Sequence, residues 1–276
     1  MSDNTNVRRL DAISPFSLPG AAMPAIVSIA FIFWKHPDMN WAMAILALAA
    51  ILLLLAAGYF WETCYTDNKN KAYLSPAICL WFIGICLAGR LMHHAGSTAM
   101  WLYWGGTALA LLYPMVRKNI AGDIAVLLGC GFLPGILISV ASTKAVDWSV
   151  LATAFPAGLV SCAILHAGVT GRIPTDKRAD IDSRLVLGSK AAAYLYWFEM
   201  IVPYVIVGVL SMASELPVWT VFIFLTFPVA LGCARAMVKS VTGGTEMIAD
   251  LKQRTTNLQL MFSALLALSL IFAGIL

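Results

Sequence analysis

Apolar residues run through this chain in continuous blocks, and short polar segments separate the blocks. In a bilayer every backbone group must be satisfied within its own segment, and a spanning helix needs about 20 apolar residues. Blocks at 16–34, 40–60, 75–93, 98–115, 120–143, 147–168, 193–212, 215–237 and 256–276 have roughly that length, and they predict nine helices. A closed β-barrel is excluded, because its strands would alternate apolar and polar positions. The expected fold class is therefore all-α, a polytopic transmembrane helix bundle. It forms one domain over residues 1–276, with a short cytoplasmic segment at 1–14.

Composition agrees with the pattern. Hydrophobic residues make up 61% of the chain and charged residues only 12%, where soluble domains carry about 25%. The mean hydropathy is +0.84. With the N-terminus inside, fifteen of the eighteen basic residues fall on inner segments, and only Lys35, Arg90 and Lys144 fall toward the outside. That asymmetry predicts a multi-pass protein of the cell's inner (plasma) membrane with a cytoplasmic N-terminus. The net charge of +4 is thus a topological signal, not a sign of nucleic-acid binding. Arg8 and Arg9 ahead of an apolar run resemble the start of a signal peptide, but Pro15, Pro19 and Pro24 interrupt the run and favour a retained, kinked first helix. The six cysteines form no C-x-x-C pair and read as filler.

The candidate chemistry lies where polar residues meet these blocks. The largest polar island runs from His166 to Lys190. Within it Asp176 and Asp180 are four apart, a spacing that puts two carboxylates on one helix face and suits a shared cation. Glu62 and Asp67 stand at the inner end of the second block, about 140° apart if both are helical. Acidic groups at such depth are functional candidates, because they are expensive in lipid unless they face a cavity or a partner. Arg117, Lys118 and Asp123 mark the junction of the fourth and fifth blocks, followed by Gly129, Gly131, Pro134 and Gly135, which allow close packing or a kink. A salt bridge from Asp123 to Arg117 or Lys118 is the alternative to a role in orienting an acceptor or its proton. Glu199 lies inside the seventh block beside Tyr194, Tyr196, Trp197 and Tyr204, a set expected to line a cavity whose aromatic faces stabilise a cation. Arg90, His93 and His94 read as an interfacial belt, and Glu246 and Asp250 as part of a solvated connector.

Three stretches resemble the UbiA superfamily of intramembrane prenyltransferases, nearest its naphthoate-prenylating branch. SPFSLPGAAMP is similar to the family's R-P-x-(S/T)-L-P-A-x-x-x-P opening. YPMVRKNIAGDIAVLLGCGFLPG is similar to Y-P-x-x-x-K-x-x-G-x-G-D-x-x-V, and TDKRADIDSRLVLG resembles the tail of the second aspartate-rich motif. The chain departs from the pattern at WETCYTD, where the family has N-D-x-x-D, and at Arg172, where an aspartate is usual. The resemblance implies a nine-helix bundle that takes an isoprenyl diphosphate and an aromatic or naphthoquinone-type acceptor from the membrane. It implies Mg²⁺ held by Glu62, Asp67, Asp176 and Asp180 as the catalytic carboxylates. Arg117, Lys118, Arg172 and Lys177 would receive the diphosphate, and Asp123 and Glu199 would complete the substrate site. Two alternatives stay open: a terpene cyclase on the same fold, and a non-catalytic prenyl-lipid or quinone-binding protein. A transporter is disfavoured, since no half of the chain repeats.

Overall fold

A computed structural model describes residues 17–66, 71–117, 120–170, 189–243 and 250–276. Among these residues the chain makes nine helical passes. They are α1 (Ser17–Lys35), α2 (Trp41–Thr66), α3 (Leu74–Ala95), α4 (Ser97–Val116) and a compound pass of α5 (Ile120–Val126), a π-helical turn (Leu127–Phe132) and α6 (Leu133–Thr143). There follow α7 (Leu151–Thr170), α8 (Ser189–Met212), a 3₁₀ stretch (Val218–Thr226) leading into α9 (Phe227–Gly243), and α10 (Leu251–Ile275). Seven of the passes contain stretches long and apolar enough to cross a membrane. The apolar part of α1 is shorter, and α4 is not among the seven. The expected all-α bundle is therefore present, with boundaries within a few residues except at the second and eighth passes.

Those two exceptions have local causes. α2 continues past the apolar block to Thr66, because Trp61 and Tyr65 extend its hydrophobic surface. Trp61 Nε1 also donates to the Leu111 carbonyl of α4 at 3.2 Å. Glu62 is thereby carried on a helix. The eighth pass starts as 3₁₀ after Pro217, whose carbonyl accepts from Thr220 Oγ1 at 2.7 Å. It turns α-helical at Phe227, which packs edge-on against the ring of Tyr204.

α7 forms the centre of the bundle: 78% of its membrane-length window is buried, against 22% in α3. It packs on α1, α8 and α10. A polar seam binds it to two of them. Gln259 Nε2 of α10 donates to the Ala157 carbonyl at 2.9 Å and to Ser161 Oγ at 3.2 Å, and Ser161 Oγ donates in turn to the Gly20 carbonyl of α1 at 3.5 Å. In an apolar surround such bonds leave few polar groups unmatched and fix the register of the three helices. On another side of α7, Gly131 of the π-turn meets Gly158. A Cβ at Gly131 would lie 3.1 Å from the Ala154 carbonyl oxygen and 3.3 Å from Gly158 Cα, so only glycine lets these backbones approach.

At the opposite end from Arg117, α1 is tied to the turn before α7. Lys35 Nζ lies 3.3 Å and His36 Nε2 3.1 Å from Asp147 Oδ2, and Ser149 N donates to Asp147 Oδ1 at 3.0 Å. Partial burial pushes the Asp147 carboxyl up. The hydrogen bonds from Ser149 and His36, with the Lys35 charge, outweigh that and bring it down to about 2.

Candidate active site

The turn from α4 into α5 is shaped by Gly122. A Cβ there would lie 2.7 Å from Arg117 Cα and 2.9 Å from the Val116 carbonyl oxygen, so α5 tucks beneath Arg117 only because residue 122 has no side chain. From this perch Arg117 Nη1 donates to Glu62 Oε1 of α2 at 3.0 Å. The two side chains are 29% and 28% exposed, which leaves the pair open to exchange with a solvent-borne anion.

Asp123, the next residue, turns inward instead. It joins His166 of α7 and Glu199 of α8, and one ligand-capable atom from each lies within 4.8 Å of the others. All three are buried, His166 completely. His166 Nδ1 stands 3.1 Å from Glu199 Oε2. Two further contacts hold the group in place. Cys162 Sγ of α7 donates to the Asp123 carbonyl at 3.4 Å. The Tyr196 ring meets His166 edge-on at 6.4 Å, and its hydroxyl shares a 2.6 Å hydrogen bond with Thr255 of α10. An imidazole among carboxylates can pass a proton between them. One nitrogen and two carboxylates are also a mixed donor set able to hold a divalent ion.

Sequence reasoning and structure meet unevenly here. Glu62 and Arg117 come together, and so do Asp123 and Glu199. Asp123 is not the partner of Arg117, because α5 starts with its Asp123 face toward α7 while Arg117 reaches across to α2. Asp67, Lys118, Arg172, Asp176, Lys177 and Asp180 lie outside the described residues. The aromatic set around Glu199 needs correction. Tyr196 and Tyr204 are buried with it, but Tyr194 and Trp197 are 68% and 42% exposed. At 3.6 residues per turn, 194 and 197 lie about 140° and 160° round the helix from 199, whereas 196 lies only about 60° from it. His166 was missed as a site residue. Its signal was a lone ionisable side chain near the end of an apolar run, of the kind that drew attention to Glu199.

No protein-family model matches the chain. It is 31% identical over 281 residues to the 1,4-dihydroxy-2-naphthoate octaprenyltransferase of Mycobacterium tuberculosis, an alignment covering 91% of this chain and 92% of that protein. The chain belongs to the UbiA prenyltransferase family. A second relative is UbiA prenyltransferase domain-containing protein 1 of Danio rerio, 23% identical over 287 residues, with 95% of this chain and 83% of the relative aligned. The fold agrees with a solved structure of digeranylgeranylglyceryl phosphate synthase at a TM-score of 0.62, 12% identity and 93% coverage of both chains. For a UbiA-family prenyltransferase the buried Asp123, His166 and Glu199 are thus part of an enzyme's interior.

Proposed function

We propose that this UbiA-family enzyme moves an isoprenyl chain from a polyprenyl diphosphate to an aromatic quinone precursor, in the plasma membrane, with its N-terminus in the cytoplasm. The relative from Mycobacterium tuberculosis, named for a naphthoate acceptor, supports the acceptor class. The distribution of basic residues supports the orientation. The observation that carries the reading is the buried grouping of Asp123, His166 and Glu199. Gly122, the residue before Asp123, packs against the backbone of Arg117, so the segment that carries the exchangeable cation also carries one of the three proton-handling groups.

In the reaction the C–O bond to the diphosphate breaks, its electron pair leaves with the diphosphate, and a ring carbon of the acceptor forms the new C–C bond. The ring then gives up a proton. Arg117 is placed to trade Glu62 for a diphosphate oxygen, with Lys118, Arg172 and Lys177 as further cations. Asp123 receives the acceptor's hydroxyl or ring proton and passes it to His166, whose imidazolium is stabilised by Glu199. Tyr196 and Tyr204, buried along α8, keep water from the allylic cation.

The carboxylates Glu62, Asp67, Asp176 and Asp180 offer only hard oxygen donors, a set that suits Mg²⁺. These four would hold it, and when bound it supplies Lewis-acid neutralisation of the departing diphosphate.

The test is pyrophosphate release by the purified protein in lipid nanodiscs, with geranylgeranyl or longer diphosphates, Mg²⁺, and dihydroxynaphthoate present or absent. Release that requires the acceptor, and falls at least about tenfold in Glu199→Gln, supports the proposal. Acceptor-independent release would instead make the protein a cyclase. No release across chain lengths and acceptors would make it a prenyl-lipid binding protein.

A further inference from the structure

Tyr196 is fully buried, and among the described residues its hydroxyl has one hydrogen-bond partner, Thr255 Oγ1 of α10 at 2.6 Å. Thr255 has a single hydroxyl proton, and the Leu251 carbonyl, one turn back on α10, stands 2.8 Å from its oxygen. If Thr255 gave that proton to the phenol, the phenol's own proton would have no acceptor in a site closed to water. Tyr196 therefore donates to Thr255, and Thr255 donates to Leu251. With its proton committed to α10, Tyr196 presents only its ring to His166, the two planes 87° apart and the centroids 6.4 Å apart.

We infer that Thr255 is a positioning residue for the His166–Glu199 pair: by accepting the Tyr196 proton it fixes the ring that walls the imidazole. This role rests on the reaction proposed above, in which His166 ends with the acceptor's proton. Without Thr255 Oγ1 a buried phenol has to turn toward another acceptor, and its ring then leaves the imidazole. Glu199, three residues along the same helix, is the strongest acceptor in that region. A phenol bonded there would compete with His166 for the carboxylate. The bundle also holds a matched pair elsewhere. Tyr204, about two turns further along α8, shares a 2.7 Å bond with Thr226, which likewise donates to a carbonyl of its own segment, that of Ile223 at 2.7 Å. The Tyr204 ring is gripped edge-on by Phe224, Phe227 and Phe262, so its position does not depend on its hydroxyl. The Tyr196 ring meets no ring but His166 among the described residues, and its hydroxyl is what holds it.

The experiment combines nanodisc turnover with a spectrum that needs no turnover. Thr255→Val is expected to lower kcat about tenfold with KM for the diphosphate unchanged, Thr255→Ser to recover at least about half of the wild-type kcat, and Thr226→Val to stay within about twofold of it. In a Tyr196→Phe background, which has no phenol proton to place, Thr255→Val should change kcat by less than about twofold more. The chain has four histidines, so a His36→Gln/His93→Gln/His94→Gln chain with ring-labelled histidine shows His166 alone by nuclear magnetic resonance. That signal is expected to shift in Thr255→Val, as the Tyr196 ring moves, and to stay in place in Thr226→Val. An unmoved signal in Thr255→Val would overturn the role. So would an equal loss of kcat in the two valine variants, or a full further loss in the Tyr196→Phe background. A wild-type chain that turns nothing over would sink the proposed reaction instead, and the spectrum alone would then decide whether Thr255 positions the ring.

Discussion

His166 and Glu199 meet at 3.1 Å between α7 and α8, and neither side chain reaches the surface. Removing one member of such a buried pair takes a hydrogen-bond partner from the other, a loss that typically costs about 3–5 kcal/mol. His166→Ala is therefore expected to lower the unfolding temperature sharply in a fixed detergent. Replacing both residues with leucine should cost less than the two single changes added together, because the pair is removed whole. Additive losses in that double-mutant cycle would show that the two side chains do not act as a pair.

Glu199→Gln keeps the shape and a hydrogen bond to the imidazole but removes the negative charge. Stability should change little, while kcat for prenyl transfer falls by about 10²-fold or more with KM for the diphosphate nearly unchanged. Glu199→Asp should recover part of the rate. A KM effect with kcat intact would place the pair in substrate binding instead.

The Arg117–Glu62 bridge is expected to behave in the opposite way. With both side chains more than a quarter exposed, its loss should cost no more than about 1 kcal/mol of stability. Arg117→Gln is expected to raise KM for the isoprenyl diphosphate by roughly tenfold, since the guanidinium is proposed to bind diphosphate oxygens. Steady-state kinetics at saturating acceptor would separate this from a fold defect.

Where Gly131 meets Gly158, one methyl group has nowhere to go. Gly131→Ala should cost about 1–3 kcal/mol, because backbone atoms of α7 receive the added carbon and cannot swing aside as a flexible side chain can. Thermal unfolding of this variant beside a substitution at Gly89, where an added Cβ meets nothing within 4 Å, isolates the packing effect.

At the other end of the bundle, Asp147 governs an acid-sensitive clasp. Its folded-state carboxyl is depressed to about 2 from an ordinary value of 3.8. The stabilisation is therefore fully present above about pH 4 and drains away as pH falls toward 2. Its size is on the order of 1–2 kcal/mol once solvent screening of the half-exposed Lys35 and His36 is allowed for. Wild type and Asp147→Asn should differ in unfolding temperature at pH 6 and converge near pH 2. A constant difference across that range would argue against the carboxylate as the source.

The bundle was readable from the chain because lipid imposes one rule on every residue of a span. Unbroken apolar blocks admit few structures other than helices. Glu199 stood out for the same reason, as a charge where charge is expensive. His166 did not, because it borders the polar island and was counted with it, although the helix carries it inside. The direction of Tyr194 and Trp197 away from Glu199 follows from helical phase alone. The partner of Arg117 was not available at all. It depends on α2 running beyond its apolar block and on Gly122 letting α5 tuck under the turn, and both are tertiary facts.

The π-helical turn between Asp123 and α6 sets an angle as well as a bend. It accommodates one more residue than an α-helical turn would. If Leu127–Phe132 wound as a plain α-helix at unchanged length, Asp123 would swing by about 100° relative to α6. That rotation would point its carboxylate away from His166 with no change in side-chain chemistry anywhere. The wider turn thus keeps this interior aligned by taking up one residue, and a family member one residue shorter here could hold the same angle with an unbroken α-helix.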